Sequence, residues 1–108
     1  MEPDEKFAPL RKGLLEFVVL RIVAGGRVYV GDILARLAAT SFATQEGTLY
    51  PLLSKLRRDE LVDYEWVESE AGPPRKYYRM TDKGAAHLAD LAAYWRSLNT
   101  TLENLGQS

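Results

Sequence analysis

Gly47 to Val62 read GTLYPLLSKLRRDELV, and the architecture turns on how this stretch is parsed. Leu49, Leu52, Leu53 and Leu56 recur at three and four residues, which places them on one side of a helix. Glu46, Thr48, Tyr50, Ser54, Lys55, Arg57 and Arg58 fall outward and make a mostly basic, hydroxyl-bearing face. Pro51 sits awkwardly there, because a proline past the first turn loses a backbone bond and clashes with the carbonyl four residues earlier, at roughly 3 kcal/mol. With Thr44 as N-cap, that earlier residue is Gly47, which is able to move aside. From Leu61 the period becomes two. Val62, Tyr64 and Trp66 point one way and Asp63, Glu65 and Val67 the other, as in a half-buried strand running to Glu68. Ser69 to Pro74 (SEAGPP) carries turn chemistry, and Arg75 to Met80 (RKYYRM) reads as the returning strand of one antiparallel hairpin.

Upstream, Leu10, Leu14, Phe17, Val18, Arg21 and Ile22 share one helical stripe, with Leu15, Val19 and Val23 beside it. The resulting apolar face is too wide for a lone surface helix, and Gly25-Gly26 ends it. Residues 1–9 (MEPDEKFAP) have no helical period and read as a loose arm. Val30, Ile33, Leu34, Leu37 and Ala38 predict a second helix from Val30 to Ala39, with Thr40 to Thr44 as the link to the third. Downstream, Thr81 caps a last helix running to about Leu105. Leu88, Leu91, Trp95, Leu98, Leu102 and Leu105 are spaced three, four, three, four, three, a heptad seam. About 24 residues of helix span roughly 36 Å, beyond the roughly 13 Å radius of gyration of a 100-residue domain, so the distal half of that seam needs a second chain.

The order helix, helix, helix, hairpin, long helix describes a winged helix-turn-helix followed by a dimerisation helix. The expected fold class is therefore mainly α with a small β-hairpin (α+β): arm 1–9, winged helix 10–80 and dimerisation helix 81–108, all one continuous domain.

The 108 residues carry 14 Lys+Arg, 15 Asp+Glu and no cysteine. Absence of cysteine excludes a disulfide framework, a thiol nucleophile and a thiolate metal site. No apolar run approaches the roughly 20 residues of a spanning helix, and no signal pattern is seen, so a soluble cytoplasmic protein without membrane contact is expected. His87 is expected at the surface with no metal site around it. The Asn99-Thr100-Thr101 sequon falls in a helix without a secretory signal. No nucleophile and base are brought together by spacing, so neither an enzyme nor a bound cofactor is expected.

Net charge is only -1, yet the charge is sorted along the chain. Residues 45–58 carry Lys55, Arg57 and Arg58 against Glu46, and residues 75–83 carry Arg75, Lys76, Arg79 and Lys83 against Asp82. Between them, Asp59, Glu60, Asp63, Glu65, Glu68 and Glu70 stand with no base. Cations on the third helix and the returning strand suit phosphates on either side of a groove. The alternative is a solvated face in which the acidic strand pairs with its basic neighbour. At the start of the third helix, Thr44, Gln45, Thr48 and Tyr50 offer hydroxyl and amide groups beside unpaired backbone N–H groups, which favour phosphate. Gln45 is the candidate for base readout, since an amide pairs bidentately with adenine. Thr44 also serves as a cap, and Tyr50 fits half-buried packing as well as it fits a phosphate donor.

GTLYPLLSKLRRDELV (Gly47 to Val62) followed by RKYYRMTDKG (Arg75 to Gly84) resembles the PadR family of transcriptional regulators, whose blocks read GTLYPLLxxLExxGL and RKYYxLTxxG. Tyr29 to Leu34 (YVGDIL) is similar to the family's second-helix opening, and the likeness extends over roughly residues 10–105. The resemblance implies a winged-helix homodimer binding a palindromic DNA operator, usually as a repressor, with the last helix supplying most of the dimer contact along with the first. Leu88, Leu91, Trp95, Leu98, Leu102 and Leu105 would form that contact. By matching position, Thr48, Tyr50 and Lys55 would face double-stranded DNA, and Arg75 and Lys76 would reach its backbone from the wing. Pro51 belongs to the family's LYP step. Glu60 departs from the pattern, which has glycine there; a non-glycine must adopt the helix-ending conformation at some cost or end the helix differently.

The single final helix is similar to that of small PadR members that include multidrug-responsive repressors, in which a tryptophan on this helix lines a pocket at the dimer centre. Trp95 falls at the matching place, and beside Ala92 and near Asn99 its face leaves room for a planar hydrophobic effector. Leu14, Leu15 and Phe17 would wall such a pocket. Trp95 also fits the seam as plain packing. A protein-interaction winged helix without DNA binding, and a sensor that has lost its operator, are the rival readings.

Overall fold

The computed structural model describes residues 5–107; residues 1–4 of the expected arm lie outside them. The rest of that arm is helical. A 3-10 turn, Glu5–Phe7, leads into α1, Ala8–Ala24, which starts two residues before the apolar period does. Pro9 lies in the first turn, where its missing N–H would have had no partner. Val19, Leu20 and Val23 are the buried residues of α1. The expected stripe lies to one side of them: Leu14, Phe17, Val18 and Ile22 are half-buried and Leu10 is exposed. Gly26, with φ of 139°, supplies the turn that a side chain would resist.

Val28–Tyr29 forms a short strand, β1, that the sequence reading did not anticipate, since two residues carry no period. Helix α2, Val30–Ala38, buries Val30, Ile33 and Leu37. The Asp32 carboxylate accepts the Tyr29 N–H at 3.5 Å at its start. At its end the Thr40 hydroxyl donates to the Leu37 carbonyl (2.8 Å) and accepts the Phe42 N–H (3.0 Å).

Helix α3, Glu46–Arg58, begins one residue later than expected: Gln45, not Thr44, is the N-cap, and no side chain caps it. The Gln45 carbonyl instead accepts the N–H groups of Thr48 and Leu49, both at 3.0 Å. Leu49, Leu53 and Leu56 are buried and Leu52 is half-buried. Pro51 is inside the helix with Gly47 four residues before it. Glu60 ends α3 with φ of 63°. Its N–H donates to the Arg57 carbonyl and the Leu61 N–H to the Leu56 carbonyl, both at 2.9 Å. That is the left-handed helix end usually given to glycine.

Strands β2, Val62–Ser69, and β3, Gly72–Met80, are joined by only Glu70 and Ala71. Most of the expected loop is therefore strand. The sheet is antiparallel, three-stranded and ordered β1-β3-β2, rather than a lone hairpin. Val28 pairs with Tyr78, and Val62, Tyr64 and Trp66 pair with Met80, Tyr78 and Lys76. Pro73 and Pro74 are accommodated because neither is paired: β1 reaches only to Tyr77 on one side, and on the other the β2 register is irregular between Val67 and Ser69.

Helix α4, Asp82–Gly106, is capped as expected: Thr81 Oγ1 accepts the Gly84 N–H at 2.9 Å and donates to the Glu60 carbonyl at 2.6 Å. Gly84 is buried against Leu61, and a methyl group there would collide with the Leu61 carbonyl oxygen. Leu88 joins the core, but no α4 residue beyond it is buried. The projecting helix stretches the molecule to 62 × 34 × 20 Å with a radius of gyration of 16.0 Å.

Candidate nucleic-acid interface

Burial of Leu49, Leu53 and Leu56 turns the opposite side of α3 to solvent. Gly47, Pro51, Ser54 and Arg58 lie along the middle of that face, with Thr48 and Lys55 on one flank and Tyr50 and Arg57 on the other. Gln45, Thr48, Tyr50 and Lys55 are exposed, and Thr44 is half-buried.

Each flank of α3 meets a different part of the chain. Thr44 and Thr48 share a shallow recess of about 170 Å³ with Arg11, Lys12 and Ser41. Tyr50 and Glu46 share a groove of about 410 Å³ with Trp66, Pro74, Arg75 and Lys76 of the hairpin. Thus the structure gathers Tyr50, Arg75 and Lys76 on the wing side and Thr44 and Thr48 on the α1 side. Lys55 stands apart. Its ammonium lies 3.4 Å from Asp59 Oδ2 and 3.6 Å from Glu16 Oε1, drawn toward α1. These pairs are half-exposed and hold the side chain only weakly.

The acidic strand is partly neutralised from within. Asp63 lies 3.7 Å from Arg57 Nε and 3.9 Å from Arg79 Nη2, and Glu65 accepts a 2.9 Å bond from Arg27 Nη1. The wing cations are held differently: Lys76 Nζ lies 4.3 Å from the Tyr64 ring centre and 5.5 Å from that of Trp66, and the Arg75 guanidinium is 4.6 Å from that of Tyr29. A ring attracts the cation without neutralising it, so both charges remain available to an anion. Tyr78, buried beneath, has its pKa raised by burial and by the neighbouring hydroxyls of Tyr50 and Tyr64, with Arg57 opposing.

The sequence reading left Arg58, Arg11 and Lys12 out of the candidate site and misplaced Trp66 and His87. Arg58 has no ion-pair partner among the described residues and sits at the centre of the exposed face; its spacing from Pro51 and Ser54 was the available signal. Arg11 and Lys12 join the α1-side recess through a tertiary approach that no local pattern reveals. Trp66 was expected inward, but it is 63% exposed. It points to the core side of a hairpin that has already run past the core. His87, expected at the surface, is half-buried.

A separate cavity of about 570 Å³ opens between α1, the end of α2 and α4. Phe17, Ala92 and Trp95 line it as expected; Leu14, Leu15 and Asn99 do not. Leu15 turns into the α1-side recess instead, and Asn99 lies one turn beyond Trp95 on the exposed part of α4. Of the expected dimer seam, Leu88 belongs to the chain's own core and Leu91 packs against it, while Trp95, Leu102 and Leu105 are exposed. Among the described residues no cluster of acids and histidine is placed to hold a metal ion, and no helix is long and apolar enough to cross a membrane.

Residues 19–90 match the transcriptional regulator PadR-like family. The chain belongs to this family. A PadR-like transcription factor from Bacteroides fragilis is similar to it at 43% identity, covering 94% of this chain and 99% of that one, with a TM-score of 0.81. A PadR-like transcriptional regulator from Bacillus cereus is 34% identical over the same shares of the two chains, also with a TM-score of 0.81. An uncharacterised protein of Lysinibacillus sphaericus is 27% identical over 95 residues, 85% of this chain and 87% of that one. PadR-like proteins are transcriptional regulators that bind DNA, and they are not enzymes. In this winged-helix fold β2-β3 is the wing and α3 the third helix.

Proposed function

We propose that two copies of this chain bind a palindromic operator and repress transcription, with α3 of each copy in the major groove of one half-site and the wing on the flanking backbone. The juxtaposition that carries this reading is the groove between Tyr50 of α3 and Arg75 and Lys76 of the wing. Gln45 reads base edges from the start of α3, while Thr44, Thr48, Tyr50 and Lys55 bind or position the phosphates. Pairing runs through Trp95, Leu98, Leu102 and Leu105 of α4 against the half-buried side of α1. Twofold symmetry then sets the half-sites about one helical turn apart. The protein works in the cytoplasm. A planar hydrophobic effector at the cavity beside Trp95 changes the spacing of the two recognition helices by binding the two dimer arrangements unequally.

A gel-shift titration on the DNA upstream of the chain's own gene, at two salt concentrations, tests this. Binding is expected to weaken steeply with salt. Arg75→Ala with Lys76→Ala is expected to weaken binding to all sequences and lower the salt slope by roughly 0.9 per lost phosphate contact. Gln45→Ala is expected to relax sequence preference instead. Binding indifferent to salt and to the wing cations would mark a protein-interaction module.

A further inference from the structure

Glu60 and Thr81 stand 21 residues apart in the chain, yet they join the end of α3 to the start of α4. The Glu60 N–H is held by the Arg57 carbonyl and the Leu61 N–H by the Leu56 carbonyl, so residues 60 and 61 move with α3. Thr81 takes both of their own carbonyls: its hydroxyl donates to Glu60 at 2.6 Å and its N–H to Leu61 at 3.2 Å. The same hydroxyl accepts the Gly84 N–H at 2.9 Å and so caps α4. Gly84 completes the joint. Glycine weakens a helix, but a methyl group at this position would meet the Leu61 carbonyl oxygen and Met80 Sδ. The first turn of α4 therefore lies against the Leu61 backbone as closely as only glycine permits. No residue of α4 beyond Leu88 is buried, so the direction of its long distal part is set by these first two turns and by the half-buried Leu91 and Ala92.

This joint has leverage. Helix α3 is 13 residues long, about 20 Å, so a turn of about 10° at its end carries its start about 3.4 Å, the rise of one base pair. We propose that Thr81 is a positioning residue for operator recognition: by tying Glu60 to the first turn of α4 it fixes the angle between α3 and the dimerisation helix, and thereby the half-site spacing that the protein accepts. This rests on the two-copy operator reading above and adds the residue that makes that reading specific for spacing. Capping alone requires an oxygen that accepts the Gly84 N–H; the tie requires the same side chain to donate to Glu60. Thr81→Asp keeps a good cap with no proton to donate, Thr81→Ser keeps both functions, and Thr81→Val keeps the shape and loses both.

Gel-shift titration at fixed salt tests the proposal, using the operator duplex selected by the wild-type protein and the same duplex with one base pair added or removed between the half-sites. The readout is each protein's own ratio of affinities, in which a uniform effect of the aspartate charge cancels. Wild type and Thr81→Ser are expected to lose at least tenfold on the altered spacings. Thr81→Asp and Thr81→Val are expected to show a penalty at least threefold smaller, with helix content by circular dichroism unchanged. A wild type that loses less than tenfold overturns the proposal. So does a Thr81→Asp penalty equal to that of the wild type, since that assigns the hydroxyl to capping alone. Should Thr81→Asp not fold, the same threefold criterion is applied to Thr81→Val against Thr81→Ser. A wild type that selects no paired site overturns the two-copy reading along with this one. Unchanged penalties in variants of a wild type that does select one count against the role of Thr81 alone.

Discussion

Glu60 occupies a left-handed position, with φ of 63°, that the family pattern gives to glycine. A side chain there costs about 1–2 kcal/mol, and glycine returns part of that gain through its larger unfolded-state freedom. Glu60→Gly is therefore expected to stabilise the protein by about 0.5–1 kcal/mol, raising the melting temperature by roughly 2–6 °C when compared at equal protein concentration. The family pattern exposed this strain before any backbone angle was known. What it did not expose is the compensation: Thr81 ties the Glu60 carbonyl to the first turn of α4 at 2.6 Å. Tyr78 gives a second test. Burial raises its pKa above the ordinary value near 10, so the folded state holds the phenol proton more tightly than the unfolded chain does. Its contribution is full below pH 10 and is lost as pH rises from there through the raised folded value. In Tyr78→Phe the loss of stability above about pH 10, followed by thermal unfolding across a pH series, is expected to be shallower than in the wild type.

Among the elements, those with a strong period were legible. The three leucines buried by α3 and the start of α2 follow directly from spacing. Element ends and short pieces were not, because they depend on partners distant in sequence. Strand β1 exists only by pairing with Tyr77 and Tyr78, and β3 extends back to Gly72 because β2 continues to Ser69 opposite it. The α1 stripe misled for a related reason: the residues around Phe17 and Ile22 are apolar, yet the chain's own core takes Val19, Leu20 and Val23 instead. The basic face of α3 was recognised in outline, but Arg58 was passed over in favour of Lys55, which is the one drawn to Glu16 and Asp59. Arg58→Ala is expected to weaken operator binding about 5- to 30-fold in a gel shift at fixed salt, in keeping with loss of a contact worth roughly 1–2 kcal/mol. Lys55→Ala is expected to have the smaller effect.

The molecule as a whole is extended, with a radius of gyration of 16.0 Å against roughly 13 Å for a rounded chain of this length. The excess comes from α4, whose 25 residues span about 37 Å while its buried residues end at Leu88. Beyond that point Leu102 and Leu105 are 59% and 78% exposed, an apolar ridge that a second copy covers in the proposed dimer. The heptad spacing marked the ridge itself; the point where it leaves the chain's own core, after Leu88, was not legible. Leu102→Ser with Leu105→Ser is expected to raise the dimer dissociation constant by on the order of 100-fold or more. Circular dichroism should show the winged helix still folded, since neither residue touches its core. The central claim is that a symmetric pair of α3 helices reads duplex DNA. Selection of bound duplexes from a randomised pool by the wild-type protein tests it most directly. Two inverted half-sites centred about one helical turn apart are predicted; recovery of no shared motif, or of a single unpaired half-site, would contradict it.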